Sequence, residues 1–443
     1  MRSFLFVLLL ALAGCANVAP KAPPPPPYAE ATVQAQALAA NHARLTGPAR
    51  RANGEAIERL LTALDDATLA RDAARLPADD PLYAFAGRAL LRRGLPLPHP
   101  FARNEADFGA AQRPPAEADG YRPPLQVALL LPLSGPQAPA AAAVRDGYLA
   151  GYYGETRRRP LLRFYDTTPG VAAALARASA DGNDFAVGPL LREDVDAVFA
   201  EDPPLPLLAL NRGDLSPTPG SAAFSLSPED EGVSLALALA ERGRRHVLLI
   251  AGGEVAQQRT ANAAETQLRR RGVQVTRLRH TPQLETTLAG LGTQPDAVLL
   301  VLKGPQARSV VPQLALANLG LLPRYASSQI TLGTGKSDED SALDGTLFPT
   351  EPWLVEPVPG LPSQAVAAAR VATAKGPAAR LFAFGLDAWR LTGYLQHLAL
   401  QPNAAVQGAT GRLQLDGFGN VLRRPAWSRF SAGVPVPLAD GVR

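Results

Sequence analysis

Gly333-Thr334-Gly335-Lys336-Ser337 is the stretch best placed by residue type to do chemistry. In a P-loop, glycines followed by lysine and a hydroxyl residue cradle phosphate through backbone N–H groups. That cradle also needs a glycine five positions before Gly335, and Ile330 stands there. Asp338-Glu339-Asp340 follows in place of an apolar helix, so the stretch reads as a mobile surface loop. The five histidines, at 42, 99, 246, 280 and 397, are too dispersed for metal-ligand spacing. His246 is expected to begin a strand and His397 to lie on a helix among leucines. No Gly-x-Ser-x-Gly elbow occurs. Neither catalytic residues nor metal ligands nor a cofactor are expected.

What remains is positional, and it depends on the elements that carry it. From Leu125 the texture is strand and helix in alternation. Gln126 to Leu133 is an apolar run, as expected for a strand covered on both faces. Strands are expected at Leu161 to Tyr165, Phe185 to Val187 and Leu205 to Leu210, with helices between them. The pattern restarts at Ser227-Pro228-Glu229, a helix-start signature. Further strands are expected at His246 to Ala251, Val273 to Leu278, Ala297 to Leu302 and Tyr325 to Ile330. A long helix is expected over Ala379 to Leu400, and an antiparallel pair over Gly411 to Leu415 and Asn420 to Arg423. Repeated β-α units imply parallel sheets with right-handed crossovers, and two successive sets imply two lobes.

In open α/β sheets ligands lie beyond the carboxyl ends of strands, where helix N-termini present free N–H groups. The first set ends at Ser134, Gly135, Asp166, Thr167, Thr168, Gly188 and Asn211. These residues could line an inter-lobe cleft. They are equally what tight turns and helix caps need, and both readings stand.

The remaining chemistry belongs to the one cysteine of the 443-residue chain. Arg2 supplies a positive start, Phe4 to Leu12 is apolar, and Ala13-Gly14 leads into Cys15. The run is well short of the ~20 residues that span a bilayer, so it reads as an export signal. Small residues leading into a cysteine resemble the lipobox of bacterial lipoproteins, which implies cleavage after residue 14 and lipid on Cys15. Neither Ala16 nor Asn17 is an aspartate, and similarity to sorted lipoproteins then favours the outer membrane. With Cys15 acylated, no thiol is left for a disulfide framework or catalysis. Hydrophobic content of 47% lets the chain fold by burial instead.

Formal charge is +4, and 40 of the 44 basic residues are arginine. Alongside abundant Ala, Pro and Gly, this suits a GC-rich genome, and no nucleic-acid partner is expected. Arg157 to Arg159 and Arg269 to Arg271 read as solvated helix ends. Residues 1–14 read as signal peptide and 15–28 as a lipidated, proline-stiffened linker. Residues 29–113 read as a small all-helical domain, with Ile57, Leu60, Leu61 and Leu64 at helical spacing and a helix start at Asp80-Pro81. Residues 114–124 form a polar, proline-bearing linker.

Many short segments in order resemble the carboxyl-terminal domain of the lipoprotein activators of penicillin-binding proteins, the LpoA type. They are Val127 to Pro136, Val144 to Gly147, Tyr165 to Thr168, Val187 to Leu191, Leu208 to Asn211, Phe224 to Asp230, Phe384 to Leu391, Gly408 to Leu413 and Pro425 to Trp427. The resemblance implies a two-lobed periplasmic-binding-protein (type I) fold over 125–443. Lobe I would be about 125–228 and 351–407, and lobe II about 229–350 and 408–443. It further implies an outer-membrane lipoprotein, facing the periplasm, that binds and activates a class A penicillin-binding protein, with peptidoglycan as a further contact. The chain departs from the family in its short helical region, where fuller members carry a long array of tetratricopeptide-like repeats.

A second function remains open: a solute-binding lipoprotein serving an amino-acid or peptide transporter. Such binders hold charged ligand ends with convergent polar groups. Pro136, Pro169 and Pro189 remove N–H donors from the corresponding turns here, which weighs against it. For the activator reading, Trp353, Arg390 and Trp427 are candidate contact residues, whereas Trp389 is expected in the core.

Overall fold

The computed structural model describes residues 27–45, 47–101, 108–201, 203–401 and 404–438. Cys15 and the apolar run before it lie outside the described residues.

Four helices come first: α1 (Glu30–His42), α2 (Gly47–Thr62), α3 (Asp66–Arg75) and α4 (Pro81–Arg92). Asp80 caps α4 by accepting from the Leu82 N–H at 2.8 Å, and Pro81 fills the first position, where its missing N–H costs nothing. Asp65 caps α3 in the same way through the Thr68 N–H. Buried Asp72 fastens α1 to α3, accepting from the Ala29 N–H at 2.9 Å and the Thr32 hydroxyl at 2.7 Å. Ile57, Leu61, Leu82, Tyr83 and Leu90 close a core of the unit's own. Each such side chain stabilises by roughly 1.5–3 kcal/mol when fully buried.

The first lobe is a parallel sheet of β1 (Gln126–Leu131), β2 (Leu161–Asp166), β3 (Phe185–Val187), β4 (Leu207–Ala209) and β5 (Ala222–Ala223), in the order β2-β1-β3-β4-β5. Val127 to Leu131 are fully buried, because helices cover both faces of the central strand. Helices α5 (Ala138–Gly154), α6 (Val171–Ala180) and α7 (Arg192–Phe199) connect the strands.

The chain then crosses to the second lobe through α8 (Pro228–Glu241). Its sheet holds β6 (His246–Ala251), β7 (Gln274–Arg279), β8 (Ala297–Val301), β9 (Arg324–Ala326) and β10 (Leu347–Thr350). Among these run α9 (Val255–Arg270), α10 (Glu285–Ala289), α11 (Gly304–Leu316) and α12 (Ser337–Asp340). After α13 (Gln364–Arg370), α14 (Ala379–Leu400) returns to the first lobe and packs on α5. Gly385 and Gly147 meet at that crossing. A methyl group on either would overlap a carbonyl of the opposite helix, that of Val144 or of Phe382.

A three-stranded antiparallel sheet follows: β11 (Val406–Gln407), β12 (Arg412–Leu415) and β13 (Val421–Arg424). Then β14 (Ala426–Ser431) pairs antiparallel with β10, and β15 (Val434–Pro437) forms the edge of the second lobe's sheet.

Three expectations need correction. Residues 408–424 were expected in lobe II, yet Leu413 and Val421 enter the first lobe's core and Asn420 bridges to Ala223. The final crossing to lobe II comes only at β14. The strand expected over Tyr325 to Ile330 stops at Ala326, because the Ser328 N–H and hydroxyl both donate to Glu231 and the chain turns into a 3-10 helix. Finally, Gly333 to Ser337 is a tied loop. The Gly335 and Lys336 N–H groups donate to the carboxylate of fully buried Asp340, at 2.7 and 3.0 Å, so the chain's own acid occupies the cradle.

Candidate functional site

Of the strand-end residues, Ser134 and Thr168 meet Asp166 at the ends of β1 and β2, while Gly188 and Asn211 follow β3 and β4. Asp166 Oδ1 accepts from the Leu133 N–H at 2.9 Å and the Thr168 N–H at 2.9 Å. Its Oδ2 accepts from the Ser134 hydroxyl at 3.1 Å, while the Thr168 hydroxyl donates to the Ser134 carbonyl. The Thr168 N–H, followed by that of Leu133, holds the Asp166 carboxyl down at about 2. Gly135 turns the chain with φ 75°, a conformation that suits glycine. Gly188 has φ 112° and donates its N–H to the Leu208 carbonyl. Asn211 donates to the Leu190 carbonyl at 2.9 Å and accepts from the Arg212 N–H. Thr167 is buried, and its hydroxyl is without a partner among the described residues. These groups spend their hydrogen bonds on the turns themselves, and one hydroxyl is left over.

A second set, which sequence spacing could not reveal, lies where the lobes join. Glu231 lies in the first turn of α8, Glu351 follows β10, Arg380 lies in the first turn of α14 and Arg423 is the penultimate residue of β13. The Arg380 Nε lies 2.7 Å from Glu351 Oε1, and its Nη2 lies 3.7 Å from Glu231 Oε2. The Arg423 Nη1 is 3.8 Å from Glu351 Oε1 and donates to the Thr410 carbonyl at 3.0 Å. Both glutamates are buried. Burial alone would lower Arg380, but Glu351 and Glu231 outweigh it and hold the guanidinium above its ordinary value. One lobe's helix is thus joined to the other lobe's helix through two buried glutamates and a partly exposed arginine.

The helical unit touches both lobes. Arg51 donates to the Ala200 carbonyl at 2.7 Å and Arg88 to the Ser216 hydroxyl at 2.8 Å, both in the first lobe. Phe418, in the turn between β12 and β13, meets Phe85 edge-on at 4.7 Å and lies under the Arg88 guanidinium at 4.0 Å. In the second lobe, Gln267 and Arg271 donate to the carbonyls of Arg93 and Gly94. A groove of about 1480 Å³ opens between the unit and the two lobes, with Asn211 on its wall.

Of the candidate contact residues, Trp353 and Trp427 are buried, one stacked on Phe382 and the other in the second lobe's core. Arg390 donates to the carbonyls of Gln407 and Pro359. Each builds the fold and offers little surface. Trp389 is buried against Tyr148 and Tyr152. Among the described residues, no group of three or more His, Cys, Asp or Glu could hold a metal ion. No described helix is long and apolar enough to cross a membrane.

Comparison with known proteins supplies the remaining findings. The family model LppC, putative lipoprotein, matches residues 120–433. A penicillin-binding protein activator LpoA of Klebsiella pneumoniae is 28% identical over 316 residues, covering 63% of this chain and 45% of the relative. The chain spans about half the length of the curated relatives it matches. Among solved structures, the C-domain of LpoA from Haemophilus influenzae, a regulator of PBP1A, matches with TM-score 0.61 and 25% identity, covering 71% of this chain and all of that one. A putative branched-chain amino acid ABC transporter protein from Chromobacterium violaceum matches with TM-score 0.55 and 27% identity, over 69% of this chain and all of the other.

Proposed function

The chain belongs to the LppC family of putative lipoproteins, and on that premise we propose that it activates a class A penicillin-binding protein from a lipid anchor in the outer membrane. The observation that carries the reading is the family match over 120–433, together with relatives named penicillin-binding protein activators. The strand-end chemistry is consistent with it: Asp166, Ser134, Thr168 and Asn211 are engaged within their own turns and leave few groups to hold a solute. The protein acts by contact and transforms no substrate. Cys15 carries the acyl chains. More than one chain on one residue gives stable anchoring where a single chain does not.

The test is reconstitution. The mature protein, added to the class A synthase of the same organism with lipid-linked substrate, is expected to bind it in a pull-down and raise its rate of glycan cross-linking. Absence of both binding and stimulation would end the proposal. Anchoring is tested separately: Cys15→Ala should abolish labelling by palmitate and release the protein from outer-membrane fractions.

A second reading, solute binding, draws on the likeness to the transporter-associated protein of Chromobacterium violaceum. It predicts a raised melting temperature with branched-chain amino acids. The activator reading predicts none.

A further inference from the structure

The groove between the helical unit and the two lobes is basic in a way the rest of the site is not. Among the described residues, nine arginines and four carboxylates line it, with no lysine or histidine. Three of those carboxylates are already committed. Glu229 pairs with Arg259 at 2.6 Å and Asp230 with Arg212 at 3.0 Å. Asp416 accepts from the N–H groups of Phe418 and Asn420 and from the Asn420 side chain.

The arginines are less well served. Arg88 and Arg92 share the single carboxylate of Glu58. Arg271 donates only to a backbone carbonyl, and its Nε has no partner among the described residues. The Nε of Arg212 is likewise unpartnered. Arg270 and Arg424, both exposed, have no ion-pair partner among the described residues. Like charges also crowd one another. Burial, then Arg92 and Arg212, bring Arg88 down to about 10, and burial with Arg212 lowers Arg92. A guanidinium presents a planar fork that matches a carboxylate in two parallel hydrogen bonds, so a walled groove with more guanidinium groups than carboxylates, two of them (Arg270 and Arg424) without an ion-pair partner among the described residues, forms a carboxylate receptor.

Size and shape narrow the ligand. At about 1480 Å³ the groove exceeds the roughly 300–1,000 Å³ of a small-molecule pocket. The arginines are spread over α4, α7, the loop after β4, α9 and its end, and β13, and so ask for several anionic groups along one chain. Leu91, Leu95, Leu97, Leu237 and Leu415 between them supply apolar wall for a backbone and its stems.

We propose that this groove binds an extended, carboxylate-rich peptide segment, whose acidic side chains are taken by Arg92, Arg212, Arg270, Arg271 and Arg424. This goes beyond the activator reading and does not depend on it, because it specifies ligand chemistry whether or not a synthase is stimulated.

The probe is a fluorescein-labelled peptide of four alternating Glu-Ala repeats, titrated with the intact mature protein and followed by anisotropy. Saturable binding is expected, weakening as salt rises. The double variant Arg270→Glu with Arg424→Glu should weaken it by about tenfold or more, since charge-assisted hydrogen bonds are lost and repulsion is added. Both side chains are exposed, so the variant should keep its melting temperature. Arg370→Glu, on α13 and outside the groove, should leave binding unchanged. A matching Lys-Ala peptide should not bind. Three results would overturn the proposal: no saturable binding of the acidic peptide, equal affinity in the double variant, or binding of a peptidoglycan disaccharide-peptide at the groove where the acidic peptide fails.

Discussion

The two lobes are held to each other and to the helical unit by different physics. Between the lobes, Glu231, Glu351, Arg380 and Arg423 form a buried charge cluster in which each member compensates another. Between the unit and the lobes, the bonds run from arginine and glutamine to backbone carbonyls and a serine hydroxyl, and through the Phe85–Phe418 ring pair. A buried charge left alone is very costly, whereas a lost aromatic contact costs its own area and little more. The inter-lobe joint should therefore fail abruptly under single substitutions and the helical joint gradually.

The largest effect tests the first half of that contrast. Glu351→Gln leaves Arg380 and Arg423 without their shared carboxylate and should destabilise the protein by about 3–5 kcal/mol in urea unfolding. Adding Arg380→Met should recover part of the loss, and a further loss in the double variant would contradict the cluster. Next, Phe418→Ala removes the ring pair and the cation–π contact, at about 1–2 kcal/mol. Hydrogen exchange should rise in α4 while β6 and β8 stay protected. Equal loosening everywhere would mean that the unit and the lobes do not separate.

A smaller effect concerns His42, packed edge-on against Phe85 at 5.0 Å. Burial, then Arg50 and Arg88, bring it from 6.5 to about 4. The unfolded chain takes up a proton near 6.5 while the folded chain refuses it until about 4, so stability falls as pH drops through that window. The partial exposure of the ring keeps the change modest. His42→Gln should flatten the pH dependence of exchange in α1 to α4. The smallest effect belongs to the strand ends. Ser134→Ala removes one exposed hydrogen bond and should cost about 0.5–1 kcal/mol, with synthase stimulation unchanged.

How much of this was legible in sequence follows from how local each signal is. The strands β1, β6 and β8 read directly, because a strand covered on both faces must be a continuous apolar run. Helix α4 announced its start through Asp80-Pro81, and α14 runs over Ala379–Leu400 as expected. The hairpin of β14 and β15 was missed. Val434-Pro435-Val436-Pro437 looks unlike a strand, and prolines are tolerated there because β15 is an edge. The assignment of 408–424 to the wrong lobe has a similar origin, since only tertiary packing brings Leu413 and Val421 against Phe224. The charge cluster was invisible for the same reason. Its four members lie far apart in sequence, and no spacing rule joins them. Asp166 and Ser134 meet at adjacent strand ends, but sequence could not tell a ligand-facing carboxylate from one that fastens its own turn.

The helical unit grips Ala200, Ser216 and Phe418 on one side and presents the carbonyls of Arg93 and Gly94 to Gln267 and Arg271 on the other. It is a splint laid across the junction of the lobes. Rotating one lobe against the other would shear bonds at both ends of the splint at once, so the unit resists that rotation.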